Sequence, residues 1–269
     1  MPPLICCEYW RSITTSIPLR YLIIAGGGSG GNAGGAPYYF NFGGGGGSGG
    51  MLTGTLPINT SNIYSIVVGN GGVATTNSNG GDSSFGGLTA VGGGSGGNGY
   101  NGTVTDGANG GSGGGGGGYT NGTPINGNPG VGIVGQGYNG ATTIGAGGAG
   151  GGGGGAGGIG GSSGNTFGDS VPFQPSGGLP AYSDITGSSI AYGLGGYSGY
   201  FNKLDPVTPN SGNGGNGGYG QGGTDGGSGV VILRYPVSYG LATTTGSSNY
   251  ITVGGDYVYT FISNGTILF

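Results

Sequence analysis

Side chains that could do chemistry are few and scattered in this sequence. Four basic residues stand against eight acidic ones, and histidine is absent. The commonest general base and the commonest metal ligand are therefore missing. The acids show neither the alternating spacing of a calcium loop nor a local pair suited to glycoside hydrolysis. We therefore predict no catalytic residue, no metal ligand and no cofactor.

Three short motifs look chemical but are better explained as structural. Gly26, Gly28 and Gly31 fit the G-x-G-x-x-G dinucleotide turn after a predicted strand, but neither a following helix nor a suitably placed acid is present. Cys6 and Cys7 are adjacent, so they offer neither a disulfide framework nor the spacing of a metal site. Asp82 follows Asn79-Gly80-Gly81, which favours an Asx-turn over lone metal ligation.

Charge and hydropathy limit the partners. The sequence pI is near 4.1, and the four dispersed basic residues cannot neutralise a run of phosphates, so nucleic-acid binding is not expected. The apolar run Leu22-Ile23-Ile24-Ala25 is too short to cross a bilayer, so no membrane insertion is expected. The N-terminus shows no secretory signal pattern.

The elements that must position any site are β-strands, because no window shows the 3.6-residue periodicity of an amphipathic helix. Strand candidates rich in β-branched and aromatic residues are 21–25, 51–58, 63–69, 88–92 and 229–235. The segments 250–253, 256–262 and 266–269 predict a closing β-meander, with Gly254-Gly255 and Asn264-Gly265 as its hairpin turns.

Long glycine-rich tracts separate these strands, chiefly 92–164 and 212–229, and glycine supplies 83 of the 269 residues. A flexible linker is less apt, because Asn, Tyr, Ala, Ile and Val recur within the tracts. Collagen is excluded by the irregular period and the 13 prolines. The remaining interpretation is a bundle of extended helices with three residues per turn, bonded sideways through their backbones. Glycine is then required at one phase of each triplet, while the other positions face solvent.

Four ordered motifs carry a resemblance to a known family. They are Tyr21-Leu22-Ile23-Ile24-Ala25-Gly26-Gly27-Gly28, Ile66-Val67-Val68-Gly69-Asn70-Gly71-Gly72, Gly80-Gly81-Asp82-Ser83-Ser84-Phe85-Gly86-Gly87, and Gly226-Gly227-Ser228-Gly229-Val230-Val231-Ile232-Leu233-Arg234-Tyr235-Pro236. Together they resemble the glycine-rich domain of bacteriophage tail-fibre and adhesin proteins, also found in some large-virus proteins.

The resemblance implies an all-β, irregular fold, in which short strands form a β-sandwich-like base that carries a bundle of polyglycine II helices. We expect an N-terminal lead-in over residues 1–20, a glycine-rich domain over 21–236 and a small C-terminal β-unit over 237–269. In similar fibre-tip adhesins the variable loops between glycine motifs contact the host. Here those loops are 36–42, 119–138, 166–185 and 192–207.

Aromatic residues in and beside these loops are the candidate receptor-binding residues. Tyrosine binds exposed surfaces at a low entropic cost, and the chain has 18 of them. The alternative is that the rings cover the edges of the bundle and shield its backbone hydrogen bonds from water. The candidates are Tyr38, Tyr39, Phe40, Phe42, Tyr119, Tyr138, Phe173, Tyr182, Tyr192, Tyr197, Tyr200 and Phe201.

The sequence leads to a non-enzymatic adhesin on a virion surface or tail-fibre tip, or otherwise extracellular, that binds a host surface protein or glycan. Another fibre protein, another virion protein or a second copy of the chain would be a further partner. The alternative is a structural fibre or surface-coat protein that assembles through its β ends without binding a receptor. Ice binding is a third hypothesis, disfavoured because the bulky insertions would interrupt a flat face.

Overall fold

Alternating apolar residues define one of the two longest strands of the described fold, each of nine residues. In the computed structural model, which describes residues 16–34, 40–100, 102–120, 125–142, 149–162, 175–199 and 207–269, Ile17, Leu19 and Ile23 lie on one face of the first strand and Leu22 and Ile24 on the other. Both faces are buried, so this strand is central to the structure.

The described residues form eighteen strands and two short 3₁₀-helices: β1 (Ser16–Ile24), β2 (Ala33–Gly34), β3 (Phe40–Phe42), β4 (Met51–Asn59), β5 (Ile63–Val67), η1 (Ala74–Thr76), β6 (Ser83–Phe85), β7 (Leu88–Ala90), β8 (Gly99–Tyr100), β9 (Thr103–Val104), β10 (Gly118–Thr120), β11 (Ile125–Asn126), β12 (Ala181–Ser183), β13 (Ile190–Tyr192), β14 (Val230–Pro236), η2 (Val237–Tyr239), β15 (Thr243–Thr245), β16 (Ser248–Val253), β17 (Asp256–Phe261) and β18 (Gly265–Leu268). The all-β prediction is confirmed. No helix in the described part of the chain is long and apolar enough to span a membrane.

Two five-stranded sheets, which we call the base, pack against each other. Their strand orders are β16-β17-β14-β1-β4 and β15-β18-β5-β6-β7. The core between them includes Leu19 and Leu233 from the first sheet and Ile66, Phe85 and Ile267 from the second, all buried. This arrangement is the expected sandwich-like base.

The C-terminal strands do not form the predicted meander. β16 and β17 form a hairpin through Gly254 and Gly255, whose φ angles of 59° and 85° suit a type I′ turn. Asn264-Gly265 is not a hairpin turn, because β18 leaves the first sheet and pairs with β5 and β15 in the second. Asn264 instead accepts the Val68 N–H through its Oδ1 at 2.9 Å. Residues 237–269 thus complete both sheets of the base.

Glycine-rich segments extend from the base and bond to one another sideways, forming what we call the glycine bundle. Within residues 25–33, Gly28 and Gly31 donate to the carbonyls of Gly47 and Gly44 at 2.9 and 2.8 Å. The residues at the second position of each triplet in this segment donate to residues 78–81, and those at the third position donate to residues 221–227. A partner that repeats every third residue is the pattern of a helix with three residues per turn. The bundle comprises residues 25–32, 43–50, 69–72, 78–82, 91–98, 105–117, 127–132, 137–142, 149–161, 175–179, 193–199, 211–218 and 222–229.

The segment 43–50 lies at the centre of the bundle. Its eight N–H groups all donate at 2.8–2.9 Å, and its bonds reach six neighbouring segments. A Cβ added at any glycine from Gly43 to Gly49 would lie closer than 3.0 Å to backbone atoms. The sequence analysis predicted that glycine is required at only one position of each triplet. In this interior segment it is required at all three positions, because the segment has neighbours on every side. Ser48 is the exception, and its buried hydroxyl pairs with that of Ser112 at 2.9 Å.

Asn and Asp side chains complete the bonding where a backbone neighbour is lacking. Their oxygens accept N–H groups from the adjacent segment at 2.7–3.0 Å, and they recur three residues apart because each turn presents one outward donor. Asp82 is one of them: its Oδ1 accepts the Gly92 N–H at 2.8 Å, so the predicted Asx-turn is wrong. The pairs are Asn79 and Asp82, Asp106 and Asn109, and Asn213 and Asn216.

Removing one of these acceptors should destabilise the protein. Asn213 accepts the half-buried Leu194 N–H at 2.9 Å, so Asn213→Leu should lower the free energy of unfolding by about 1–2 kcal/mol. Asn213→Asp keeps an acceptor in place and is the matched control, with an expected loss below about 0.5 kcal/mol. Equal losses for the two variants in urea unfolding would contradict the acceptor role.

Candidate functional site

The end of the bundle remote from the base, which we call the tip, is closed by two small three-stranded sheets. One has the order β2-β8-β9 and the other β11-β10-β3. The segment 25–33 leads from β1 in the base to β2 in the tip, so the two ends are about 25 Å apart at the rise of a polyglycine II helix. Each tip strand is short, because it only joins segments that run back towards the base.

Buried aromatic rings hold the tip together. Phe42 and Tyr219 pack with their ring centroids 5.1 Å apart, and Tyr119 lies in β10, which pairs with β3. Phe42 and Tyr119 are only 6% and 8% exposed. Burial raises the pKa of Tyr219 above its ordinary value, so its phenol stays neutral at physiological pH. Phe42 and Tyr119 therefore pack inside the tip, and the half-buried Tyr219 packs against Phe42.

Three exposed side chains lie at or near the tip. Tyr100 is 47% exposed, Ile125 40% and Tyr197 37%. Tyr100 is in β8 and Ile125 in β11, and the sheets that contain them pack against each other. Tyr197 lies in the segment 193–199, where its N–H donates to Asn216 Oδ1 at 3.0 Å. All three are uncharged and held on hydrogen-bonded backbone.

Parts of the two candidate loops 36–42 and 119–138 lie between tip strands. The described residues on either side of 35–39 belong to β2 and β3, and those on either side of 121–124 belong to β10 and β11. Five candidates, Tyr38, Tyr39, Phe173, Tyr200 and Phe201, lie outside the described residues. Phe40 lies in β3 at the tip.

The other three candidates lie near the base. Tyr138 and Tyr182 are 47% and 68% exposed and line one groove beside β4. Tyr192 is buried at 6% exposure in a small core against Leu22 and Ile232 of the first sheet, where burial also raises its pKa. The structure therefore separates the described candidates into a tip group and a base group.

The hairpin β12–β13 carries Tyr182 and Tyr192. Two arginine side chains of the first sheet donate hydrogen bonds to the loop between its strands. Arg20 donates to Asp184 at 2.8 Å and Arg234 donates to the Ile185 carbonyl at 3.2 Å. The Arg20 hydrogen bond holds the pKa of the Asp184 carboxyl below its ordinary value. The resulting stabilisation is complete above the ordinary pKa and is lost as pH falls through the lowered one. Both side chains are exposed, so the effect is small.

Comparison with known proteins places the chain in a family. Residues 10–236 match the glycine-rich domain family, which is most of the chain. The protein belongs to the glycine-rich domain family. The family match covers the base strands up to β14 together with the whole bundle. No curated protein and no solved structure matches the chain.

Sequence reasoning missed Tyr100 and Tyr219 as tip residues, and it included Ile125 only as part of the candidate loop 119–138. Tyr100 stands in Gly99-Tyr100-Asn101-Gly102, and the Asn-Gly pair is a hairpin signal inside a tract that was interpreted only as a bundle segment. No cluster of three or more potential metal ligands occurs among the residues with described placement.

Proposed function

We propose that this glycine-rich domain protein is a non-enzymatic adhesin, on a virion surface or a tail-fibre tip, that binds a host surface protein or glycan at its tip. The observation that carries the proposal is that three exposed, uncharged side chains, Tyr100, Ile125 and Tyr197, lie at or near the end remote from the base. Aromatic side chains on rigid backbone bind with little loss of entropy, which suits recognition.

The base and the tip differ in how strongly the core constrains their side chains, and this difference supports the proposal. The strands at the base belong to the two large sheets and contribute side chains to the core between them. Their side chains are therefore constrained by the packing of that core. The tip strands are only two or three residues long, so side chains there are less constrained by the core. Binding residues on loops held by a rigid scaffold are a common arrangement in proteins.

Binding to cells of the host tests this proposal. The triple variant Tyr100→Ser, Ile125→Ser, Tyr197→Ser should bind host cells at least about tenfold more weakly, since a few side chains at a binding site contribute most of its affinity. Purified wild-type protein should also compete with virions for the cells. Tyr250→Ser, which removes a half-exposed ring from β16 in the base, is the control and should bind normally.

Unchanged cell binding by the folded triple variant would contradict the proposal that the receptor binds at the tip. Tyr39→Ala and Tyr200→Ala then test two further candidate positions, in the predicted loops 36–42 and 192–207. Undetectable binding by the wild-type protein on its host would contradict the adhesin itself.

The second candidate function is a structural fibre that assembles through β edges. β16 favours it, because this edge strand exposes Tyr250 on one face and Ile251 on the other, each about half exposed. The opposite edge strand, β4, is less able to pair with another chain. Its Met51 N–H already donates to the Gln136 carbonyl at 2.9 Å, and Pro57 has no N–H to donate. Concentration-dependent filament growth would support this candidate, and closed small oligomers would count against it.

A further inference from the structure

Asparagine followed by glycine recurs along the bundle, and such a pair can hold one residue of a neighbouring segment at two points. The Asn213 Oδ1 accepts the Leu194 N–H, and the Gly214 N–H donates to the Leu194 carbonyl, both at 2.9 Å. The same contact is made by Asn98-Gly99, Asn109-Gly110 and Asn216-Gly217. The side-chain amide and the glycine N–H of these pairs are both engaged.

Engagement of these two groups matters because an asparagine followed by glycine can modify itself. Once water has taken the proton of the glycine N–H, that nitrogen attacks Cγ of the asparagine. A C–N bond forms, the bond from Cγ to Nδ2 breaks, and Nδ2 takes up a proton and leaves as ammonia. Water then opens the cyclic imide at either carbonyl, which gives aspartate or isoaspartate. Glycine favours the attack because it has no Cβ to obstruct its own nitrogen.

Asn70-Gly71, just after β5, leaves both reacting groups free. In the part of the chain that the structure describes, neither the Asn70 side chain nor the Gly71 N–H has a hydrogen-bond partner, and Asn70 is exposed. The Asn70 carbonyl accepts the Gly81 N–H at 2.8 Å. Ring closure rotates the Asn70 backbone as well as its side chain, so it must break this one hydrogen bond.

Asn79-Gly80, the next such pair along the chain, has similar neighbours in sequence and is also exposed at its asparagine. Its side chain is bonded at both amide atoms: Oδ1 accepts the Ser95 N–H at 2.9 Å, and Nδ2 donates to the Asn109 carbonyl at 3.2 Å. The Gly80 N–H donates to the Gly93 carbonyl at 2.9 Å. Ring closure at this pair must therefore break three hydrogen bonds.

We propose that Asn70 is a site of spontaneous deamidation in the native protein, where it is converted to aspartate and isoaspartate with release of ammonia. Each event adds one negative charge to a chain whose net charge is −4. Isoaspartate also adds a carbon atom to the main chain, directly before Gly72, whose N–H donates to the Gly27 carbonyl at 2.8 Å. The site lies beside the base, remote from the tip, so this proposal and the adhesin can fail independently.

Peptide mapping by mass spectrometry tests the proposal on the full-length native protein aged in mildly alkaline buffer, which favours loss of the glycine proton. Chymotrypsin cuts after Tyr64 and Phe85, so a single peptide contains both asparagines and fragmentation distinguishes them. Asn70 should be converted at least about tenfold faster than Asn79, because two fewer hydrogen bonds must break. In urea-unfolded protein the two rates should be similar, since the sequences around the two residues are alike.

Asn70→Gln is the matched variant, because glutamine would have to close a larger ring. Its side chain is exposed like that of Asn70, so the variant should keep the wild-type melting temperature. The same chymotryptic peptide should then show only the slow conversion at Asn79. Fast conversion that persists in this peptide would assign the reaction to another residue and overturn the proposal.

Equal rates at Asn70 and Asn79 in the native protein would also overturn it, since the free groups of Asn70-Gly71 would then give no advantage. A preference for Asn70 that persists undiminished in urea would count against it in the same way, because the local sequence and not the bundle would then select the site.

Discussion

Gly45→Ala should lower the free energy of unfolding by about 3 kcal/mol or more, which is a large share of the stability of an ordinary domain. Gly45 lies in the central segment of the bundle, and an added Cβ would lie closer than 3.0 Å to the Gly196 carbonyl oxygen. That atom belongs to backbone that is itself bonded on other sides, so it cannot move without breaking bonds. The bonds at risk include Gly45 N–H to Gly151 and Gly115 N–H to Gly45, at 2.9 and 2.8 Å. Urea unfolding followed by tyrosine fluorescence measures the loss.

Gly158→Ala is the control for loss of a glycine as such. The nearest atom to its added Cβ is the Leu179 nitrogen at 3.4 Å, an ordinary contact. Because alanine restricts the unfolded chain, this variant should be stabilised by about 0.4–1 kcal/mol. If Gly45→Ala and Gly158→Ala shift the unfolding midpoint alike, close packing of backbones is not what makes glycine necessary in the bundle.

Amide hydrogen exchange should show strong protection in the interior of the bundle. Residues 43–50 donate every one of their N–H groups to other segments, and the bundle holds few side chains that could protect amides otherwise. Local opening requires several neighbours to separate together, so exchange should be slowed by at least about 10³-fold relative to the unfolded chain. Peptides covering 112–117 should behave in the same way, because Gly113, Gly114 and Gly115 also donate sideways.

Rapid exchange through 43–50 and 112–117 in the native protein would mean that the lateral bonds do not persist in solution. The bundle would then be a tether, and the tip would have no rigid support.

Local patterns in the sequence predicted the strands well. The predicted segments 51–58 and 229–235 correspond to β4 (Met51–Asn59) and β14 (Val230–Pro236), because β-branched runs bounded by glycine have few alternatives. Gly254-Gly255 was identified as a turn for a similar reason, since both positions need a positive φ. Asn264-Gly265 carries the same local signal but joins strands of different sheets. A dipeptide indicates that the backbone can bend at that point. It does not indicate which strand the next strand will pair with.

The candidate site was predictable only in part. Tyrosines in glycine-rich tracts were identified as candidate binding residues, yet Phe42, Tyr119 and Tyr192 are buried, whereas Tyr138, Tyr182 and Tyr197 are exposed. All six have similar neighbours in the sequence, so composition could not separate them. Their exposure depends on which segments lie alongside, and in the bundle those segments come from distant parts of the chain.

The sequence by itself determined the all-β class, the two-residue hairpin at Gly254-Gly255 and the backbone-bonded character of the glycine tracts. These features follow from turn chemistry, strand preference and the lack of side chains, all of which act over a few residues. Only the tertiary structure decided that the 43–50 segment is central, that Asn213 and Asp82 complete the bonding of adjacent segments, and that Tyr138 and Tyr182 line one groove. A polyglycine II helix presents similar N–H and C=O groups in every direction, so its own residues do not specify its neighbours; the packing of the whole chain does.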